Sequence, residues 1–246
     1  MKKILHFLLF TFLVLVSLNG QVNLYIEEQS VTLNNSVLTA WVFPIPGDLQ
    51  PALNNLRDFS KERSKLKMKK SGSNILIAEE VFIPNISSKR GDFIGYAYAT
   101  STHNVMATVF QIGYDISLNT RDWSLEMGNL RNYTKEFMSY LYDRFYADSI
   151  ALVNKELNSV QKELKKREKE FRKLEKKISG THNKLINETD PVKLEKLKSD
   201  ASLLQSDFDY VSDIIPELRL STVQLKEEVG QLRNSSVQYQ NAIGSL

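Results

Sequence analysis

From Ile150 onward, apolar residues recur at two positions in every seven, and this narrow seam constrains the chain more than any other feature of its sequence. In "SVQKELKKREKEFRKLEKKI", residues 159–178, nearly everything is charged or polar except a thin line of Val160, Leu164, Phe171, Leu174 and Ile178. A stripe of that width is too narrow for a globular core and needs one partner helix. Its a positions are Ile150, Leu157, Leu164, Phe171, Ile178 and Leu185; its d positions are Val153, Val160, Arg167, Leu174 and Thr181. Arg167 and Thr181 read either as register devices or as packing flaws.

The partner lies in the same chain. "NETDP", with Asp190 as a cap and Pro191 preset for a first helical turn, stops one helix near residues 187–191 and starts another. The second run repeats the heptad with a at Leu194, Ala201, Phe208, Ile215, Thr222, Val229, Ser236 and Ile243. Its d positions are Leu197, Leu204, Val211, Leu218, Leu225, Leu232, Tyr239 and Leu246. Two heptad helices joined by so short a link pack antiparallel, which sets Phe171 near Phe208 and Leu164 near Ile215. Residues 155–184 carry eleven basic against five acidic side chains, and residues 190–233 six against nine, so the arms attract on average. Lys177 opposite Asp200 is favourable and Glu170 opposite Asp207 unfavourable, each worth only a few tenths of a kcal/mol. Pro216 interrupts the second arm without shifting its phase, which predicts a kink or bulge. The first arm spans about 55 Å from Ile150 to Asn187. The returning helix is long enough to bring Val237, Tyr239 and Ile243 to Phe137 and Tyr140.

The first half of the chain alternates in the manner of strands. "VNLYIEEQ" and "VLTAWVFP" come first, followed by a helix over "LQPALNNLRDFSKERSKL", capped at or near Asp48, with Leu49, Leu53, Leu56, Phe59 and Leu66 on its apolar face. Four strands follow in "LKMKK", "NILIAEEVFIP", "DFIGYAYATS" and "VMATVFQIGYDISL", with turns at Ser71–Ser73, Lys89–Gly91 and Thr102–Asn104. In the last run Met106, Thr108, Phe110, Ile112 and Tyr114 share one face and Ala107 and Val109 the other, which predicts a central strand covered on both sides. A helix then starts near Leu125, with Leu130, Tyr133, Phe137, Leu141 and Phe145 as a broad stripe suited to covering a sheet.

In this element order, and in "GDFIGYAY" and "ATVFQIGYDISL", residues 36–146 resemble the TATA-box-binding-protein-like domain of small exported Bacteroidetes proteins. The resemblance implies a curved antiparallel sheet with helices on one face and carries no functional residue; the coiled-coil half resembles no family. The expected class is α+β: a small antiparallel sheet with packed helices, followed by a long antiparallel coiled-coil hairpin. The expected divisions are a signal peptide over 1–20, an α+β domain over 21–146 and the hairpin over 147–246.

The address comes from "MKKILHFLLFTFLVLVSLNGQ". Lys2 and Lys3, an apolar run from Ile4 to Leu18 and the small residue Gly20 make a secretory signal peptide cleaved after Gly20. The run falls short of the roughly 20 residues of a membrane span, although an uncleaved anchor is the other reading of it. "SLNGQ" resembles Bacteroidetes signal peptides, so the periplasm is expected first, and the cell surface or the extracellular space next. With no cysteine the chain has no disulfide and no site for lipid attachment, and nothing after Gln21 is apolar enough to cross a membrane.

The same inspection excludes most chemistry. No thiol, G-x-S-x-G, P-loop or dinucleotide fingerprint occurs, and His103 and His182 stand far apart without metal-ligand spacing. No catalytic, cofactor-binding or metal-binding set is expected, and the protein does not read as an enzyme. Glu79–Glu80 and Glu227–Glu228 read as solvated pairs, "RGD" at Arg90–Asp92 as a chance tripeptide, and Asn85, Asn132, Asn187 and Asn234 as incidental glycosylation triplets. The net charge of +3 and the glutamates within "KKREKEFRKLEKK" argue against nucleic acid. The remaining expectation is a cell-envelope interaction or scaffold protein with a protein partner, self-assembly as a homo-oligomer being the other partner left open by the sequence. The alternative is a periplasmic holdase that grips unfolded clients with its arms, similar in plan to Skp-type chaperones.

Overall fold

The computed structural model describes residues 24–33, 35–113 and 116–246. The expected signal peptide lies outside the described residues, as do Val22, Asn23 and Tyr114. The chain forms two compact units. One comprises the chain up to Phe145 together with Gln238–Leu246, and the other comprises Tyr146–Val237.

In the first unit the elements follow one another as β1 (Glu27–Leu33), β2 (Ser36–Pro44), α1 (Leu49–Ser64), β3 (Lys69–Lys70), β4 (Ile75–Val81), β5 (Gly91–Ala99), β6 (Asn104–Ile112) and β7 (Ile116–Ser117). Next comes α2 (Ser124–Asn187), whose residues up to Phe145 belong here, and then α3 (Pro191–Ser245), whose end returns to this unit. The sheet is antiparallel in the order β1-β2-β6-β5-β4-β3, with β7 paired to β6. The fold is α+β.

Strand alternation decides which side each helix covers. Trp41, Phe43, Met106, Thr108, Phe110 and Phe93 share the helix side, as their pairings require. There Phe137 of α2 meets Phe43 and Phe59 with ring centroids 5.9 and 5.4 Å apart, and Tyr133 meets Phe93 at 5.4 Å. Gly95 lets Leu56 of α1 lie directly on β5, because a Cβ there would collide with it. Two hydroxyls enter this core as a satisfied pair: Thr108 and Thr134 are 2.7 Å apart, and Thr134 also donates to the Leu130 carbonyl. Trp41 Nε1 donates to the Met127 carbonyl at 2.9 Å. The other side of the sheet is apolar as well: Leu38, Ala40 and Val42 of β2, Ile94 of β5 and Val105, Ala107 and Val109 of β6 form one buried cluster with Val31 and Leu33 of β1.

Several sequence expectations move. The first strand is Glu27–Leu33 and leaves out Leu24–Ile26, because Leu33 pairs with Ser36 across a turn in which Asn35 takes φ 67°. Of "LKMKK" only Lys69–Lys70 pairs, and β4 ends at Val81 in a bulge where Glu80 takes φ 51°. The long last run is two strands, with Ile116 turned back on Ile112. Asp48 stands at the start of α1 in an extended conformation but makes no side-chain cap bond. Of the residues expected to return to α2, Ile243 is buried and Tyr239 stacks on Tyr142 with centroids 5.1 Å apart, whereas Val237 is exposed. Hydrogen bonds from Arg131 to Leu246, Lys135 to Gly244 and Gln240 to Asp143 hold that end along α2.

The second unit is a helical hairpin, α2 from Tyr146 onward against α3 up to Val237. Asp190 caps α3 as expected, with Oδ1 accepting from the amides of Val192 at 2.9 Å and Lys193 at 3.4 Å.

Phe110 is fully buried in the helix-side core. Phe110→Ala should therefore cost about 3–5 kcal/mol, read as a lower urea midpoint with an unchanged slope. A loss below about 1 kcal/mol would mean the site collapses freely around the missing ring.

Candidate functional site

The hairpin seam is the candidate site, since it gathers the residues that the sequence singles out. Val153, Leu174, Val211, Ile215, Leu225, Val229 and Leu232 are buried. Ile150, Leu157, Val160, Leu164, Phe171, Ile178 and Leu185 of α2 are half-buried, as are Leu194, Leu197, Ala201, Leu204, Phe208 and Leu218 of α3. Half-burial follows from having only one partner helix, which covers a seam residue from one side. At mid-length the Phe171 and Phe208 rings stand 4.5 Å apart at 32°. Around them Leu164, Leu174, Leu204, Val211 and Ile215 form one cluster.

The polar positions resolve individually. Arg167, a d residue, donates from Nε to Glu163 at 2.8 Å and from Nη1 to Glu170 at 2.9 Å, both on its own helix. Desolvation lowers its pKa, but those bonds and charges outweigh desolvation and hold the value above the ordinary one. Thr222 returns its hydroxyl to the Leu218 carbonyl at 2.9 Å. Helix α3 runs through Pro216 without a chain reversal, and the ring is exposed. Between the arms Arg219 donates to Glu168 at 2.8 Å, a crossing pair that the sequence reading did not identify.

Glu228 departs from the expectation of a solvated pair with Glu227. It is half-buried and faces Glu156 of the other arm, both at g positions of the heptad. Burial pushes both carboxyls above their ordinary pKa, and the charge of Glu156 raises Glu228 further.

The other chemical candidates are engaged structurally. His103 closes the β5–β6 turn, its ring nitrogens lying 3.1 Å from the Tyr25 hydroxyl and 2.8 Å from the Thr102 hydroxyl. His182 is exposed in the second unit. The "RGD" tripeptide opens β5. Arg90 donates to the Glu80 carbonyl at 2.9 Å, Asp92 accepts from the Glu80 amide at 2.8 Å, and a Cβ on Gly91 would strike the Gln111 carbonyl. Among the described residues no three of His, Cys, Asp and Glu gather where they could hold a metal, and no helix is long and apolar enough to cross a membrane.

What the sequence reading missed is apolar surface outside the seam. Leu203, Tyr210, Leu220 and Val223 on α3, and Ile186 and Val192 on either side of the hairpin turn, are all more than half exposed. They occupy heptad positions expected to be polar, so each stood out in the sequence only as a single residue out of pattern.

A carboxyl whose pKa is higher in the folded chain than in the unfolded one binds its proton more tightly when folded. Protonation therefore favours the hairpin: stability rises as pH falls through the raised Glu228 value and is lost as pH rises through it. Glu228→Gln should raise the hairpin Tm at neutral pH by about 1–2 °C, the size of a screened surface interaction, and should flatten its pH dependence. A lower Tm in thermal scans from acid to neutral pH would show that the two carboxylates do not oppose folding.

Set against protein-family models, curated proteins and solved structures, the chain matches none of them.

Proposed function

We propose that the protein is an exported, non-enzymatic interaction protein of the cell envelope, with the periplasm as its first address. Its sheet-bearing unit docks to a protein partner and its hairpin serves as a spacer or assembly arm. The observation that carries this reading is the set of exposed apolar side chains on a hairpin whose own seam is already closed. A helix that needed only to remain in water would carry polar residues at Leu203, Tyr210 and Leu220; large apolar groups there favour contact with another protein. Lys2 and Lys3 followed by the Ile4–Leu18 run support export. The succession from β2 through α1 and β3–β6 to α2 has the element order on which the resemblance to TATA-box-binding-protein-like domains rests; that resemblance implies a fold and carries no functional residue.

The same exposed residues also suit a holdase, so the experiment separates the two. Cross-linking in envelope fractions should give a band of discrete mass that is lost in a Leu203→Ser/Tyr210→Ser double variant. Losing a tyrosine anchor worth about 2 kcal/mol corresponds to roughly 30-fold weaker binding. A heterogeneous ladder of products, together with suppressed aggregation of an unfolded client by the purified protein, would replace the scaffold reading with the chaperone.

A further inference from the structure

The two edges of the sheet are finished differently. At one edge β3 is only Lys69–Lys70, both exposed, and the β4 backbone beyond it is closed by side chains. At its bulge the Glu80 amide donates to Asp92 at 2.8 Å, and the Glu80 carbonyl accepts from Arg90 at 2.9 Å. A short strand, lysines and a bulge are devices that keep a sheet edge from pairing with another chain. At the other edge β1 has none of them. It runs for 7 residues, Glu27–Leu33, in unbroken register with β2 and without proline or lysine.

The direction of its free groups follows from β2. Thr39 donates its amide to the Ser117 hydroxyl at 3.2 Å, on the side of β6 and β7, so this amide points away from β1. Thr39 faces Ser30, and opposite residues of an antiparallel pair either bond each other or both turn their main-chain groups outward. Ser30 therefore directs its N–H and C=O off the sheet, and by alternation Glu28 and Thr32 do the same. All three residues are exposed, and among the described residues β1 pairs with β2 alone. The acidic side chains at this end are engaged within the chain. Glu28 accepts from the Thr120 amide at 3.0 Å and from the Thr120 hydroxyl, and Glu27 accepts from Gln29 at 3.2 Å.

We propose that β1 is a self-pairing edge whose occupant is β1 of a second copy, antiparallel about a two-fold axis at Ser30. In that register Ser30 faces Ser30 of the second copy, Glu28 faces its Thr32, and Glu27 faces its Leu33. The outward-directed residues are spaced symmetrically about Ser30, so each free N–H meets a free C=O. Every glutamate also stands opposite an uncharged residue, whereas parallel pairing would set Glu27 on Glu27 and Glu28 on Glu28. The strand is thus complementary to itself in one orientation, as an isologous contact requires. This pairing depends neither on export nor on the hairpin's exposed residues.

The chain has no cysteine, so placed thiols report on the pairing without background. Across the axis the Cα atoms of residue 30 would lie about 5.5 Å apart, within reach of a disulfide, while those of residue 27 would be about 20 Å apart. Under the same mild oxidation Ser30→Cys should form a covalent dimer at least about tenfold faster than Glu27→Cys, also an exposed position. Equal rates would overturn the proposal. Ser30→Pro removes an outward donor and no β1–β2 bond, so circular dichroism should be unchanged while sedimentation shows a dimer at least about tenfold weaker than the wild type's. Thr32→Pro replaces it, with the same reading, if the first proline disturbs the strands. A dimer untouched by the proline would place the contact elsewhere, and a wild-type chain that sediments as a monomer would leave the edge to a strand of another protein; either result overturns the self-pairing.

Discussion

A helix can bury only the stripe that its sequence provides, and along α2 that stripe changes width. Up to Phe145 the buried residues include Met127, Leu130, Tyr133, Thr134, Phe137, Met138, Leu141 and Tyr142, which wrap far enough around the helix to need a sheet on one side and a neighbour beside it. From Tyr146 onward the stripe falls to two residues in seven, a width that matches one partner helix and not a sheet. The chain supplies both partners, and the two compact units divide between Phe145 and Tyr146. One helix therefore contributes to two cores of different kind, because its sequence asks for a different neighbour in each half.

Within the sheet the same rule acts with period two. In β6, Met106, Thr108 and Phe110 point to the helices while Val105, Ala107 and Val109 point away, and all six are buried. An antiparallel strand facing water on one side would have made the second set polar. Polar groups enter this core only in satisfied form: Thr108 bonds Thr134, and Tyr133 lies within 3.5 Å of the Ser60 hydroxyl. The demand for cover on both sides is thus written into the strands themselves.

The features legible in the sequence are those governed by a repeat. The seam, the turn at Asp190–Pro191 and the Phe171–Phe208 layer all follow from heptad phase, because one register satisfies every position along the arm at once. The features that escaped depend on a single local geometry. β1 is placed by the turn at Asn35, since shifting a strand by one residue would exchange its two sides; no periodicity in "VNLYIEEQ" conveys that choice. The division between β6 and β7 turns on one reversal between Ile112 and Ile116, within a run whose residues all favour strand. The exposed Leu203 and Tyr210 escaped for the opposite reason: a pattern search rewards residues that fit and passes over those that do not.

The charges on the hairpin show how little of the register they decide. Arg167 sits in the seam yet spends its bonds on Glu163 and Glu170 of its own helix, so it specifies nothing about the partner arm. Arg219 and Glu168 do cross between the arms, but they are matched by the opposing pair Glu156 and Glu228 in the same register. Attraction at one flank and repulsion at another leave the choice to the large side chains. Phe171 against Phe208 is the bulkiest layer, and sliding either arm by a heptad would set each ring against a smaller aliphatic and open a gap that the remaining layers have no atoms to fill. The arm is therefore held in place by shape, and its flanking charges remain free to set how its stability responds to pH.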